Sequence, residues 1–297
     1  MKRLIAHIKL MRPANVVTAI ADIMAGFAAS GMVVFWLENA EGGPTLFWLV
    51  MSTIGLYAGG VVFNDVFDAE LDQIERPERP IPSGAASVFS AGTFGALLLA
   101  AGIFSAWMVS DTSLLLALFI AACALVYDGW GKHQAVLGPV NMGLCRGANL
   151  LLGVSAVPAV LTEVWYISLI PIVYISAITM ISRGEVHGGD RSTLRWAGIM
   201  YGVIFISLIL LAWVFSAAFW QVLPFLALLA YFIFPPLFRA LRDPQPKHIG
   251  MAVKAGILSL IILDAALATA FAGWLYGLLV VLLFPVSRLV AKAFAVT

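Results

Sequence analysis

Asn64-Asp65-Val66-Phe67-Asp68-Ala69-Glu70-Leu71-Asp72-Gln73-Ile74-Glu75-Arg76-Pro77-Glu78-Arg79-Pro80-Ile81-Pro82-Ser83-Gly84 is a charge-dense island in a chain that is otherwise mostly apolar. Read as a helix, Asn64, Asp68 and Asp72 fall at i, i+4 and i+8 and share one face, with Asp65 at its edge. Acidic groups crowded on one face repel unless cations sit between them. Hard oxygen ligands at this spacing suit Mg²⁺, above all Mg²⁺ that also holds a phosphate. Pro77 is expected to stop the helix, and Arg76 and Arg79 flank it. Carboxylates for a metal thus stand beside guanidinium groups for phosphate oxygens.

The rest of the chain sets the context. Of its 297 residues 62% are hydrophobic and 11% charged, against roughly a quarter charged in a soluble domain. Mean hydropathy is +1.00. The fold class is therefore all-α, a polytopic transmembrane helical bundle. The basic start, Met1 to Arg12, leads into an apolar run that many others follow, so no cleavable signal peptide is expected. A net charge of +1 gives no reason to expect nucleic acid as a partner. Cys123 and Cys145 lie in apolar runs and read as small buried side chains, not as a disulfide framework.

Ten apolar runs span or nearly span a bilayer, at about 14–36, 46–63, 87–109, 112–127, 136–160, 164–182, 196–216, 220–240, 251–271 and 273–291. The fourth is short and Pro285 interrupts the last, so nine or ten helices are expected. Nothing marks a soluble domain, and residues 1–297 read as one transmembrane domain. Lys2, Arg3, Lys9 and Arg12 precede the first run, and Arg or Lys follows the second, fourth, sixth, eighth and last. The alternate loops hold Glu38, Glu41, Asp111 and Glu163 but no Lys or Arg. The positive-inside rule makes the basic side cytoplasmic, and an even count of spans puts both ends there. The polar islands at 64–84, 127–139, 183–195 and 242–249 then form cytoplasmic cap loops at the mouth of the bundle, in the inner or plasma membrane of the cell.

A second island runs Ile181-Ser182-Arg183-Gly184-Glu185-Val186-His187-Gly188-Gly189-Asp190-Arg191. Glu185 and Asp190 would not share a helix face, but a bend at Gly188-Gly189 could turn both toward one cation. The competing reading is a solvated, positive-inside loop. A third island, Tyr127-Asp128-Gly129-Trp130-Gly131-Lys132, offers Lys132 as a point charge for phosphate. Inside the runs lie Asp22, Arg146, Asn149, Lys254 and Asp264. Ionisable groups in a membrane are costly and should face the bundle interior. Asp22 and Arg146 are expected to pair, either lining a cavity or simply joining helices. Asn15 is expected near the cytoplasmic mouth.

Asn64-Asp65-x-x-Asp68-x-x-x-Asp72, running into Arg76-Pro77-x-Arg79-Pro80-Ile81-Pro82-Ser83-Gly84, resembles the first signature of the UbiA-type intramembrane prenyltransferases. Its form is similar to that of the chlorophyll synthases and the archaeal geranylgeranylglyceryl phosphate geranylgeranyltransferases. Arg12-Pro13-x-Asn15, the Tyr127 to Lys132 loop and Gly138 are also similar, so the likeness spans nearly the whole chain. The resemblance implies a bundle of about nine helices around a lipid-open cavity, with Mg²⁺ bridging a prenyl diphosphate to both Asp-rich loops. Asn64, Asp68 and Asp72, with Asp65 beside them, would hold one Mg²⁺. Glu185 and Asp190 would hold a second, and Asp68, Asp72, Glu185 and Asp190 would be the catalytic set. Arg76, Arg79, Lys132, Arg183, Asn15 and Arg146 would bind substrate. The second signature departs from the family pattern. Gly189-Asp190 keeps its end, but Val186 stands where the first acid is expected and Arg183 replaces a common upstream acid.

Two functions are consistent with these residues. One is Mg²⁺-dependent transfer of a prenyl group from an allylic diphosphate to a lipophilic or aromatic acceptor within the membrane. The other is a catalytically altered membrane protein that binds an isoprenoid or lipid and supports metabolite transport or export.

Overall fold

The computed structural model describes residues 2–39, 42–185, 188–216 and 218–294, and it is helical throughout these segments apart from turns. A short helix α1 (Lys2–Leu10) leads into α2 (Pro13–Ala29), α3 (Met32–Asn39) and α4 (Gly43–Phe67). Then come α5 (Ala69–Glu75), α6 (Val88–Trp107), α7 (Asp111–Gly129) and α8 (Leu137–Val154). Residues 158–182 form one apolar helical passage that contains α9 (Leu161–Val164) and α10 (Leu169–Ser182). The chain ends with α11 (Arg191–Phe215), α12 (Leu223–Arg242), α13 (Pro246–Ala272), α14 (Trp274–Val281) and α15 (Leu283–Phe294).

Among the described residues eight helical passages are long and apolar enough to cross a membrane. With the 17-residue α2 and the 18-residue α8, helices occupy all ten positions of the apolar runs, where nine or ten helices are expected. The first differs in detail. The run at 14–36 is not one helix, because Gly31 takes a left-handed φ of 81° and separates α2 from α3. The last passage, residues 274–294, is long and apolar enough to cross despite its break. Tyr276 donates to the carbonyl of Met24 at 3.3 Å, and Ser287 donates to that of Ala14 at 2.9 Å. Residues 274–294 therefore run antiparallel to α2, and α15 finishes on the side where α2 begins.

Small residues let the helices cross closely, as packing in lipid requires. A Cβ on Gly55 of α4 would lie 2.6 Å from the Leu98 carbonyl of α6, and one on Gly26 of α2 would lie 2.1 Å from the Leu150 carbonyl of α8.

Arg146 and Asp22 do pair, with Nε 2.8 Å from Oδ2. Asn149 adds a hydrogen bond to Asp22 at 2.8 Å and accepts one from Thr53 at 2.7 Å. Arg146 also donates to the Thr18 carbonyl at 2.9 Å and lies 5.6 Å from the Tyr57 ring. Asp22 stands nine residues into α2, about 13 Å below its polar end at roughly 1.5 Å per residue. Arg146 is 4% exposed. The network is a closed joint between α2, α4 and α8, placed below the mouth and not at it.

Candidate active site

The polar ends of α2, α4, α7, α10, α11 and α13 gather on one face of the bundle. α4 stops at Phe67, Asp68 sits in a joint at φ −89° and ψ 5°, and α5 resumes at Ala69. The hydrogen-bond ladder runs through this joint. Asp68 N donates to the Asn64 carbonyl at 3.0 Å, and Asp72 N donates to the Asp68 carbonyl at 2.8 Å. α5 ends at Glu75, two residues before Pro77, as the sequence predicts.

The acidic groups divide into two sets. Asp65 and Asp72, seven residues apart, share one side and are 4% and 1% exposed. Arg79 bridges them, 3.2 Å from Asp65 and 2.7 Å from Asp72. Arg12 donates to Asp65 at 2.6 Å. Asn64 and Asp68 face the other way. Asn64 Nδ2 donates to Asp128 Oδ1 at 2.8 Å, and Lys132 is bonded to Asp68. Asp68, Asp128 and Lys132 line a groove of about 480 Å³ together with the apolar Phe67, Leu71 and Ile74 and the exposed Glu70 at its edge. The expected single face of Asn64, Asp68 and Asp72 is thus corrected, since Asp72 turns with Asp65 toward Arg79.

Among the described residues no three acidic, His or Cys side chains converge as a ready metal cage. Asp65, Asp68 and Asp72 each meet a cationic side chain instead. The donor set still fits a hard divalent ion, because all its members are oxygen ligands. No hydrogen bond among the described residues reaches Asn64 Oδ1, and the Lys132 and Arg79 groups on Asp68 and Asp72 sit on long, adjustable stems.

The second island is looser. Arg183 is exposed and donates to the Gln134 carbonyl. Glu185 is half-buried, with Oε1 near the start of α13, 3.7 Å from where a Cβ on Gly250 would stand. Burial lifts its carboxyl above the usual range, and the Arg76 guanidinium opposes that rise. Asp190 is exposed and begins α11 without a side-chain capping bond. Arg183, Gly188, Gly189 and Asp190 line a smaller cavity of about 230 Å³. Val186 and His187 lie outside the described residues. Asn15 is half-buried one turn from Arg12, and Arg76 lies 4.0 Å from Asp72.

The UbiA prenyltransferase family model matches residues 20–249. The chain belongs to the UbiA prenyltransferase family. It is an integral membrane prenyltransferase by that membership. It is 29% identical over 215 residues to the digeranylgeranylglyceryl phosphate synthase of Methanothrix thermoacetophila, covering 69% of this chain and 76% of that one. Its fold is similar to the apo UbiA homologue of Aeropyrum pernix, with a TM-score of 0.67, 18% identity and coverage of 84% and 96%. It is also similar to the UbiA homologue of Archaeoglobus fulgidus bound to GPP and Mg²⁺, with a TM-score of 0.53, 14% identity and coverage of 97% and 99%.

Two residues at this UbiA mouth have partners that the motif reading does not supply. Arg12 is one, and its signal is a basic residue at the start of an apolar run beside an acid-rich loop. Asp128 is the other. An acid in the last turn of a helix opposes the helix dipole. That unfavourable placement is the available clue that the side chain serves a partner.

Proposed function

We propose that this chain transfers a prenyl group from an allylic prenyl diphosphate to a lipophilic acceptor inside the membrane, with Mg²⁺ as cofactor. The observation that carries the reading is the complete first signature at one polar mouth, its oxygen donors beside Arg79, Arg12 and Lys132. Asn64, Asp65, Asp68 and Asp72 are the metal-holding set, supported by Glu185 and Asp190. Bound Mg²⁺ would neutralise the diphosphate charge that grows as the allylic C–O bond breaks. Arg76, Arg79, Lys132 and Arg183 bind diphosphate oxygens, with Asn15 at the rim. When substrate loads, guanidinium and ammonium groups move from carboxylates to phosphate oxygens. Phe67, Leu71 and Ile74 give the prenyl chain an apolar wall and limit the access of water.

The relative's name makes a prenylated glycerol phosphate the first acceptor to test. Purified protein in detergent is incubated with Mg²⁺ and geranyl, farnesyl or geranylgeranyl diphosphate, with that acceptor and with an aromatic acid. Mass spectrometry is expected to find the alkylated glycerol phosphate. An aromatic product alone would overturn the acceptor assignment.

We place the mouth in the cytoplasm, because every basic loop lies on its side. Ser83→Cys and Ser192→Cys, in a chain lacking Cys123 and Cys145, are expected to resist an impermeant thiol reagent in intact cells. Labelling of either from outside contradicts this orientation.

The altered second island supports a second reading, in which the chain binds an isoprenoid without turnover. Val186 replaces an acid, Arg183 is engaged with Gln134 and the charge of Arg76 acts on Glu185. Release of diphosphate separates the two readings.

A further inference from the structure

We infer that Asp128 is a positioning residue that fixes the amide of Asn64 so that its Oδ1 is presented to the divalent cation. The inference rests on the metal assignment above and concerns a residue outside both signatures. Asp128 is 4% exposed, in the last turn of α7. Its Oδ1 accepts from Asn64 Nδ2 at 2.8 Å across 64 residues of sequence. With Asp128 Oδ1 as the acceptor, the amide nitrogen is turned toward Asp128 and the amide oxygen away from it. A free Asn side chain has no such preference, since its two ends are nearly the same size.

The same turn reaches the next ligand. Lys132, four residues beyond Asp128, is bonded to Asp68. The chain from Asp128 to Lys132 therefore touches two of the four proposed first-island ligands, Asn64 through a carboxylate and Asp68 through an ammonium group. Trp130 closes α7, and Gly131 to His133 form a single 3-10 turn that brings Lys132 back over α4. A Cβ on Gly131 would lie 3.0 Å from Asn141 Nδ2 of α8, so the turn is seated against that helix. Lys132 has a further use on phosphate, but Asp128 faces an amide that carries no charge. Its contact is directional, not a neutralising pair, and orientation is what it supplies.

The test uses the purified full chain in detergent and Mn²⁺ in place of Mg²⁺. Binding is read from loss of the free aqueous Mn²⁺ electron paramagnetic resonance signal, with and without geranylgeranyl diphosphate. Asp128→Asn can donate as well as accept and so frees the Asn64 amide to flip. It is expected to weaken Mn²⁺ binding by about 10- to 100-fold, the usual effect of losing a group that orients a ligand. The double substitution Asn64→Asp with Asp128→Asn is expected to recover most of that loss. Its carboxylate offers oxygen in either orientation and accepts from the new amide. The exchange also re-forms the hydrogen bond between α4 and α7, so thermal unfolding is measured alongside. A melting temperature that stays near wild type in Asp128→Asn is expected. One that falls and recovers in step with Mn²⁺ binding overturns the inference in favour of a role in holding the helices. Asp128→Asn binding within twofold of wild type overturns the inference, as does a double variant no better than Asp128→Asn. Asp68→Asn is measured in parallel. If Asp68→Asn also leaves Mn²⁺ binding intact, the metal assignment itself fails. If Asp68→Asn abolishes it while Asp128→Asn does not, only the role of Asp128 fails.

Discussion

Asp68→Asn is expected to lower Mg²⁺-dependent turnover by about two orders of magnitude or more, with a melting temperature close to wild type. Asp68 sits in the joint between α4 and α5, and its side chain is 17% exposed. Its one ion pair among the described residues is with Lys132, 15% exposed, whose flexible stem can return the ammonium group to water. The amide oxygen put there by the substitution can still accept from that ammonium group, which holds the cost to stability to about 1–2 kcal/mol. The chemistry loses far more, because an amide brings no negative charge to a divalent ion and its bound diphosphate. Glu70→Gln is the control. Glu70 is exposed and has no ion pair among the described residues, and its loss should change turnover little. Steady-state kinetics and thermal unfolding in the same detergent check both statements. Equal losses for Glu70→Gln and Asp68→Asn would show that general charge, and not a ligand face, is at work.

Arg79→Ala is expected to damage stability and activity together. Arg79 lies between Asp65 and Asp72, and its side chain is 12% exposed. Removing it leaves two buried carboxylates with only Arg12 at 2.6 Å from Asp65 and Arg76 at 4.0 Å from Asp72. Removing one partner of a buried pair costs about 3–5 kcal/mol, because the remaining charge stays buried. The melting temperature should therefore fall clearly. Arg79→Lys keeps the charge but loses the fork that reaches both carboxylates, so it should recover only part of the loss. Adding Asp72→Asn to Arg79→Ala should recover stability without recovering diphosphate binding. An unchanged melting temperature for Arg79→Ala would mean that water already solvates both carboxylates.

Much of this was legible in the chain. The ten apolar runs reappear as ten helical passages because hydropathy over a span is a local property. Pro77 and the Asp22–Arg146 pair were equally readable, the first from backbone chemistry and the second from the cost of charge in lipid. The partners of the acidic residues were not. Asp65 and Asp72 meet Arg79 because of the turn at 76–86, whose path depends on packing against α1, α4 and α6. Asp128 meets Asn64 only because α4 and α7 are neighbours, a long-range fact that no spacing encodes. The second island was the least legible, since Glu185 is governed by Arg76 and the start of α13 and not by its own loop.

The most direct test of the account is release of inorganic pyrophosphate by the purified protein. It is measured with Mg²⁺, geranylgeranyl diphosphate and a panel of lipophilic acceptors, for the wild type, Asp68→Asn and Glu185→Gln. The account predicts acceptor-dependent release that needs Mg²⁺, disappears in Asp68→Asn and falls in Glu185→Gln. Mg²⁺-dependent binding of the diphosphate with no release from the wild type, whatever the acceptor, would contradict it and leave the binding protein as the correct reading.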